Sequence, residues 1–188
     1  MATGTMNPNV PFLFLKSGLT YVTAVVLGLA VADARASESD RHALSGVWEY
    51  DGDGPQEEAR KQAVESATKD MSRLVRGKAR RRLDARTTPP RKLKIDLEDN
   101  RLQISRDGGS VSLELGAEPV VVEKDGTQGA LSARLDGEEL VVVSEAEKAK
   151  RITTYALTPD HDQLTVSVHM TGERLPAPLN YETTYRRE

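Results

Sequence analysis

The sequence predicts a mainly β fold, an antiparallel up-and-down barrel of about 8–10 strands with one α-helix inserted between strands 1 and 2. Apolar residues alternate with polar ones through most of the chain after residue 91, and turn signals separate the alternating segments at short intervals. Short connections make neighbouring segments antiparallel partners. Because a one-sided sheet of so many strands leaves two edges exposed, closure into a barrel is the favoured solution.

Composition limits the chemistry of the interior. The chain has 188 residues, of which 38% are hydrophobic and only 4% aromatic, so the core must be built mainly from Leu, Val and Ile. Such a core disfavours a stacking platform for sugars or nucleobases. There is no cysteine, which excludes disulfides, thiolate nucleophiles and thiolate metal sites. One domain without disulfides is therefore predicted.

Residues 1–36 have the pattern of an export signal. Lys16 supplies a positive charge, residues 19–31 are almost continuously apolar, and Ala34-Arg35-Ala36 has the small-x-small form of a cleavage site. We expect cleavage after Ala36, which leaves residues 37–188 as a barrel domain working in the periplasm or outside the cell. An uncleaved membrane anchor is the alternative.

The first strand and the helix after it are predicted from adjacent signals. The strand covers residues 45–50 and contains Trp48, the only tryptophan. Asp51-Gly52-Asp53-Gly54 ends it, and Pro55 followed by acidic residues predicts a helix from residue 55 to at least 76, within a helical insertion at 55–85. The helix is expected to pack through an apolar stripe at spacings of three and four. The stripe consists of Val64, Ala67, Met71, Leu74 and Val75.

The segment 76–94, called the basic segment below, carries most of the positive charge in this part of the chain. Only Asp84 opposes its cations, which are Arg76, Lys78, Arg80, Arg81, Arg82, Arg86, Arg91, Lys92 and Lys94. Arg80, Arg81 and Arg82 are the candidate anion-binding residues. The alternative interpretation is a solvated helix end that complements the helix dipole. Thr87-Thr88-Pro89-Pro90 should end the helix.

The remaining strands follow from turn chemistry. We expect nine or so strands between residues 91 and 187, with the last, at 181–187, paired with the first beside Trp48. The turns between them contain residues that tolerate turn backbone angles. They are Glu98-Asp99-Asn100, Asp107-Gly108-Gly109, Lys124-Asp125-Gly126, Asp136-Gly137 and Pro159-Asp160-His161-Asp162.

Gly46-Val47-Trp48 on the first strand resembles the Gly-x-Trp signature of the calycin group, which comprises the lipocalins and the fatty-acid-binding proteins. The resemblance implies a barrel that binds a small ligand, an Arg of the last strand packed over the Trp, and a helical lid like that of the fatty-acid-binding proteins. Arg187 is the candidate for that Arg, with Arg186 second, and Tyr185 lies beside them. The chain is also similar in outline to uncharacterised exported bacterial proteins with such an opening.

Catalytic and metal-binding patterns are thin. The only histidines are His42, His161 and His169, and no nucleophile-elbow motif accompanies them. Asp160-His161-Asp162 is more typical of turn chemistry than of a metal site, and Asp51-Gly52-Asp53-Gly54 lacks the later Glu of a calcium loop. We expect a non-enzymatic protein without catalytic residues, metal or cofactor.

Two functions are compatible with these observations. The first is a carrier of a small apolar ligand held inside the barrel, with Trp48, Tyr185, Arg187 and Met71 as the candidate ligand-binding residues. The second is an envelope-associated scaffold that docks on anionic surfaces through the basic segment. A barrel filled by its own side chains is the alternative to the first function. Nucleic acid is not an expected partner because no aromatic residues interrupt the basic run, and a monomer is expected.

Overall fold

The computed structural model describes residues 42–124 and 127–188. The predicted signal segment 1–36 lies outside the described residues, as does part of the predicted turn at 124–126. The described chain contains ten strands and two helices that follow the first strand. In chain order they are β1 (Gly46–Tyr50), α1 (Gly54–Thr68), α2 (Arg73–Thr87), β2 (Lys92–Glu98), β3 (Arg101–Arg106), β4 (Gly109–Glu114), β5 (Val120–Lys124), β6 (Thr127–Asp136), β7 (Glu139–Ala146), β8 (Ala149–Leu157), β9 (Gln163–Gly172) and β10 (Leu179–Arg187).

The ten strands form one antiparallel sheet in the order β4-β3-β2-β1-β10-β9-β8-β7-β6-β5. The predicted mainly β barrel is therefore confirmed, and its strand count lies within the predicted range. The sheet curls into a nearly closed barrel whose free edges are β4 and β5. Just beyond β4, Leu115 forms an isolated parallel bridge with Ala133 of β6, and the amide of Gly116 donates to the Ala133 carbonyl at 2.8 Å. Contacts between the two ends of the sheet thus reach past β5.

β1 and β10 are neighbours inside the sheet and join the first and last strands of the described chain. Their register pairs Trp48 with Arg187, Glu49 with Arg186 and Tyr50 with Tyr185. The predicted pairing of the last strand with the first is confirmed. Beyond Tyr50 the side of β10 that faces β1 has no strand partner, and α1 packs there instead.

The core is aliphatic with a few aromatic residues, as the composition predicts. Inward-facing residues alternate along the strands, and Leu93, Ile95 and Leu97 of β2 are all buried. The other core residues continue this pattern around the barrel. They include Leu102, Ile104, Leu113, Ala133, Leu140, Val142, Tyr155, Leu164, Val166, Val168, Leu179, Tyr181 and Tyr185.

The helical insertion consists of two helices, where the sequence pattern predicted one. Asp53 caps α1 by accepting a hydrogen bond from the Gln56 amide at 3.0 Å, and Pro55 stands in the first turn, as expected from the start signal. α1 ends at Thr68, whose hydroxyl donates to the Val64 carbonyl at 2.8 Å. The chain then turns and α2 begins at Arg73. Neither helix in the described chain is long and apolar enough to cross a membrane.

The predicted apolar stripe is only half buried. Val64 and Ala67 of α1 are buried, whereas Leu74 is 95% exposed and Val75 is 53% exposed. The expectation that Leu74 and Val75 pack against the barrel is wrong, because the break after Thr68 reorients the chain and α2 packs on α1 with few contacts to the strands. α2 ends at Thr87, directly before the Thr-Pro-Pro sequence that predicted its end.

α1 is fixed to β10 by a side-chain amide. The Gln56 side chain accepts from the Thr184 backbone amide at 3.0 Å and donates to the Thr184 hydroxyl at 3.1 Å. Because this part of β10 has no strand partner on that side, Gln56 satisfies a backbone donor that would otherwise lack a bond. α1 thus takes the place of a strand partner along this part of β10.

Arg60 joins the two helices. Its guanidinium is 2% exposed and pairs with Glu57 of α1 and Asp84 of α2, each at 2.7 Å. It also donates to the Thr87 hydroxyl at 2.7 Å, in the last turn of α2. The hydrogen bond from Arg60 holds the pKa of the Glu57 carboxyl below its usual range. This network sets the position of the C-terminal end of α2.

Candidate ligand-binding cavity

A cavity of about 810 Å³ occupies the barrel interior below the C-terminal end of α2. The volume lies within the range of small-molecule sites in proteins. The cavity is open to solvent, because it also reaches the exposed residues Asp107 and Glu123. Its lining includes Leu93, Ile104, Arg106, Val111, Leu131, Val142, Ser144, Arg151, Thr153, Tyr155, Val166, Val168, Tyr181, Thr183 and Tyr185 of the strands, with residues 85–90 at the end of α2 and after it.

The lining contains both apolar and polar side chains. The apolar side chains come mainly from β2, β3, β6, β7 and β9, and the polar ones mainly from β8 and β10. On β8 the inward positions are Arg151, Thr153 and Tyr155, and on β10 they include Tyr181 and Tyr185. The period of two in these strands brings hydroxyl and guanidinium groups into the interior on both sides of β9, whose Val166 and Val168 are apolar. The cavity therefore suits a molecule that is itself amphipathic.

Arg106 reaches the cavity from the end of β3. Its Nη2 donates to the Tyr155 hydroxyl at 2.9 Å. Leu102 and Ile104 precede it and are buried, whereas Arg106 itself is exposed and lines the cavity at its rim, next to Asp107 and Gly108. Among the described residues, no carboxylate lies within ion-pair distance of its guanidinium.

Arg151 faces the cavity from β8. Its Nε donates to the Thr153 hydroxyl at 3.2 Å, and its Nη2 lies 3.5 Å from the Tyr181 hydroxyl. Its Nη1 lies 3.4 Å from the Arg86 carbonyl oxygen in the last turn of α2. All three partners are neutral oxygens, and no described carboxylate pairs with this arginine either. Both cavity arginines thus have a positive charge available for an anion.

Tyr181 and Tyr185 of the lining resist ionisation. Burial raises the pKa of the Tyr181 and Tyr185 hydroxyls above the usual tyrosine range, and the neighbouring Arg151 and Arg106 only partly oppose this effect. A neutral phenol both donates and accepts a hydrogen bond. The two tyrosines can therefore orient a polar head group without adding a negative charge beside the arginines.

Trp48 and Arg187 lie together at one end of β1, away from the cavity lining. Trp48 is fully buried, and its Nε1 donates to the Leu44 carbonyl at 3.2 Å. The Arg187 guanidinium carbon lies 4.3 Å from the centre of the Trp48 ring, which confirms the predicted packing. Arg187 also donates to the carbonyls of Ala43 and Ser45. Among the predicted ligand-binding residues, only Tyr185 lines the cavity, because Trp48 and Arg187 pack on each other and on the segment before β1.

Met71 and the predicted anion-binding residues also lie outside the cavity lining. Met71 is half-buried between the helices, and its carbonyl accepts from Arg76 at 2.8 Å. Arg80 pairs with Glu65 at 2.9 Å and donates to the Thr68 hydroxyl at 3.1 Å, so it holds α2 to α1. Arg81 and Arg82 are exposed and form no ion pair with a described residue. The three arginines therefore do not form one free surface.

The sequence interpretation missed Arg106, Arg151, Tyr155 and Tyr181 as site residues. The signal for Arg106 is its position two residues after Leu102 and Ile104, where the alternation requires an inward side chain. On β8 the same alternation places Arg151, Thr153 and Tyr155 on one face of the strand. None of His42, His161 and His169 lies in the cavity, and all three are exposed. No group of three or more His, Asp or Glu residues in the described part of the chain is placed to hold a metal ion.

The fold, ten antiparallel strands with a helical pair after the first, is similar to that of several solved structures. A secretory abundant heat soluble protein from Ramazzottius varieornatus superposes with a TM-score of 0.51 at 16% identity, over 78% of this chain and 96% of that one. Lipid binding protein 8 of Caenorhabditis elegans gives 0.49 at 13%, over 81% and 99%. Human cRBP IV gives 0.47 at 19%, over 77% and 98%. No protein-family model and no curated protein sequence matches the chain.

Proposed function

We propose that this protein binds a small amphipathic molecule inside the barrel, with the apolar body against the aliphatic wall and an anionic head group between Arg106 and Arg151. The observation that carries the proposal is the presence of two guanidinium groups on the lining of an 810 Å³ cavity without a carboxylate partner among the described residues. Arg151 is half-buried and Arg106 is exposed at the rim of the cavity. Two cations beside one cavity without a carboxylate partner favour an anionic ligand.

The apolar wall supports the other half of the proposal. Its side chains are aliphatic, so they provide contact area without polar groups that would need a partner. They include Leu93, Ile104, Leu131, Val142, Val166 and Val168.

The test compares two ligands that differ only in the head group. Oleate and oleyl alcohol are titrated by calorimetry into the wild type and into Arg106→Met and Arg151→Met. Charge-assisted hydrogen bonds contribute roughly 1.5–3 kcal/mol, so each substitution should weaken oleate binding by about 10- to 100-fold and leave oleyl alcohol binding nearly unchanged. Arg134→Met is the matched control, because Arg134 is exposed and pairs with Asp136 outside the cavity. Equal binding of both ligands by the wild type would contradict an anionic head group.

The second candidate function is docking on an anionic membrane surface through α2. The observation that favours it is the exposure of Leu74 and Val75 on a helix that also carries the exposed Arg81 and Arg82. Exposed aliphatic side chains next to arginines are typical of helices that lie at a lipid interface. Arg80 is excluded from this surface because its guanidinium is engaged by Glu65 and Thr68.

Vesicle binding tests the second function. Binding to phosphatidylglycerol vesicles should be measurable at low salt and should fade near physiological salt, where the screening length is about 8 Å. Each basic residue contributes roughly 1 kcal/mol, so Arg81→Gln with Arg82→Gln should weaken binding about 30-fold, and Leu74→Ser should weaken it further. Arg134→Gln is the control, because Arg134 is an exposed arginine of β6 and not of α2. Binding that resists salt, or that survives the double substitution, would refute this function.

We also propose that the protein is exported and acts in the periplasm or outside the cell. This proposal is supported by the charge, apolar run and small-x-small site of residues 1–36. Mass spectrometry of the protein secreted from a bacterial host should find Ser37 as the first residue. A mature protein that retains residues 1–36 in the membrane would support the anchor instead.

A further inference from the structure

The C-terminal end of α2 contacts the barrel through one hydrogen bond and through Leu83, which packs against the hydrophobic core. Among the described residues, the Arg151 to Arg86 carbonyl contact at 3.4 Å is the hydrogen bond that joins α2 to a strand. The other bonds of this turn go to Arg60 of α1, which reaches the Asp84 carboxylate and the Thr87 hydroxyl, each at 2.7 Å. Arg60 therefore holds α2 to α1, and Arg151 holds it to the barrel.

The Arg151 contact is suited to exchange. The last carbonyls of a helix have no partner within the helix and carry the negative end of its dipole, so a cation there is favourable. However, the distances from Arg151 to Arg86 and to Tyr181, 3.4 and 3.5 Å, are at the long end for hydrogen bonds. The partners are neutral. An anion in the cavity would offer the same guanidinium shorter and stronger bonds.

We infer that Arg151 is a latch that an anionic ligand releases. A head group bound in the cavity takes the Arg151 guanidinium from the Arg86 carbonyl, and its charge also neutralises the cation that stabilises the end of the helix. Both effects remove the hydrogen-bonded contact between the C-terminal end of α2 and the barrel and so loosen this end, while Arg60 still holds it to α1 and Leu83 still packs against the core. The inference rests on the proposed function, because it requires an anionic head group. A neutral ligand of equal length leaves the latch closed.

Hydrogen exchange of the purified protein measures the latch directly. Without ligand, Arg151→Met should increase amide exchange in the last two turns of α2 by roughly two- to tenfold, as expected for the loss of one hydrogen bond. Arg106→Met is the matched control, because Arg106 bonds to Tyr155 and not to a helix. It should leave exchange in α2 at the wild-type rate. Exchange in β7, β8 and β9 should be unchanged in both variants and serves as the control for folding.

Ligand then separates the latch from a static contact. Oleate should accelerate exchange at the end of α2 in the wild type by a similar factor, oleyl alcohol should not, and Arg151→Met should show no further acceleration. Arg151→Lys keeps a cation near the helix end and should retain part of the protection. This variant provides a second reading if Arg151→Met does not fold.

The outcomes distinguish the latch from the proposed function. Wild-type exchange in α2 of unliganded Arg151→Met would overturn the latch even if oleate binds. Slower amide exchange of α2 in the presence of oleate would also overturn the latch, because the ligand would then stabilise the contact between α2 and the barrel. Failure of oleate to bind would contradict the proposed function and still leave the unliganded comparison to decide whether Arg151 fastens α2.

Discussion

A methyl group on Gly46 would lie 2.8 Å from Nη1 of Arg187, so glycine at this position makes room for the arginine that covers Trp48. Gly46 also has φ of 154°, which side-chain-bearing residues rarely adopt. The first and third residues of Gly46-Val47-Trp48 thus have one structural role, because the glycine admits the cation that packs on the tryptophan. The motif belongs to the wall of the barrel and not to its cavity.

Gly46→Ala should destabilise the protein by about 1–3 kcal/mol, because the backbone becomes strained and Arg187 must leave the Trp48 ring. Urea denaturation measures the change. Gly108→Ala is the control, since an added Cβ there would meet open space. If the two substitutions cost the same, Gly46 is not required for the packing of Arg187.

Trp48→Ala should cost on the order of 3 to 5 kcal/mol of stability, because the side chain is fully buried and its removal leaves a cavity. The free energy of unfolding from urea titration, followed by circular dichroism, gives the value. Trp48→Phe retains part of the packing and should lose less. A cost under about 1 kcal/mol for the alanine variant would mean that the site collapses without penalty.

Arg60→Ala should destabilise the protein by about 2 kcal/mol, because it removes the hydrogen bonds that join Glu57, Asp84 and Thr87. Lys61→Ala is the matched control. Lys61 pairs with the same Glu57 carboxylate at 3.5 Å but is 55% exposed, so its loss should cost less than about 0.5 kcal/mol.

The same network predicts a pH dependence. The Glu57 pKa is lowered in the folded state, so its contribution is present above the usual glutamate pKa and is lost as the pH falls through the folded value. The difference in unfolding free energy between the wild type and Arg60→Ala should therefore shrink in acid. A difference that stays constant through the acidic range would show that Glu57 is not coupled to Arg60.

Tyr181 and Tyr185 should resist ionisation in alkali. Burial raises both pKa values in the folded state, so above the usual tyrosine pKa the unfolded chain binds fewer protons than the folded one, and stability falls as the pH rises. Absorbance of tyrosinate near 295 nm should show these two side chains titrating together with unfolding. The Tyr185→Phe variant should be less sensitive to alkali. Free titration of both residues in the folded protein would contradict their burial.

The strands were predictable because alternation and turn residues are local signals. Leu93, Ile95 and Leu97 alternate without interruption. The pairing of the first and last strands was predicted as a way to remove exposed edges; the pairing is present, but the free edges of the sheet are β4 and β5. The break between the helices was not predictable in the same way. Val64, Ala67 and Leu74 continue a helical spacing, and only the tertiary contacts of α1 with β10 decide which of them are buried.

The site was less predictable than the fold for a related reason. Sequence reasoning favoured Trp48, Arg187 and Met71 because a rare aromatic residue, a late arginine and a methionine in a lid are typical of ligand sites. The alternation that predicts the strands also places Arg106 and Arg151 on the cavity side of their strands. In the sequence alone, however, a charged residue at such a position only breaks the apolar pattern, and the cavity that explains it is visible only in the structure. Two distant exceptions become a site only when the sheet brings them to the same interior.

The three-pair ladder between β1 and β10 has a kinetic consequence. Apart from the β1–β2 ladder, which spans the helical insertion, every other ladder joins strands that a short turn or loop connects. Two meanders, β2 to β4 and β5 to β10, can therefore each form from local contacts. The closing ladder joins Trp48 to Arg187 and carries the loop-closure entropy of nearly the whole described chain. We expect this ladder to form after the folding transition state, so that mutations at Trp48 accelerate unfolding and leave the folding rate nearly unchanged, whereas mutations at Val142 and Tyr155 in the β7–β8 hairpin slow folding. Stopped-flow kinetics in urea measure both rates. If the β1–β10 ladder formed before the transition state, mutations at Trp48 would slow folding instead, and the unfolding rate, which sets the lifetime of the folded barrel, would not depend on Trp48.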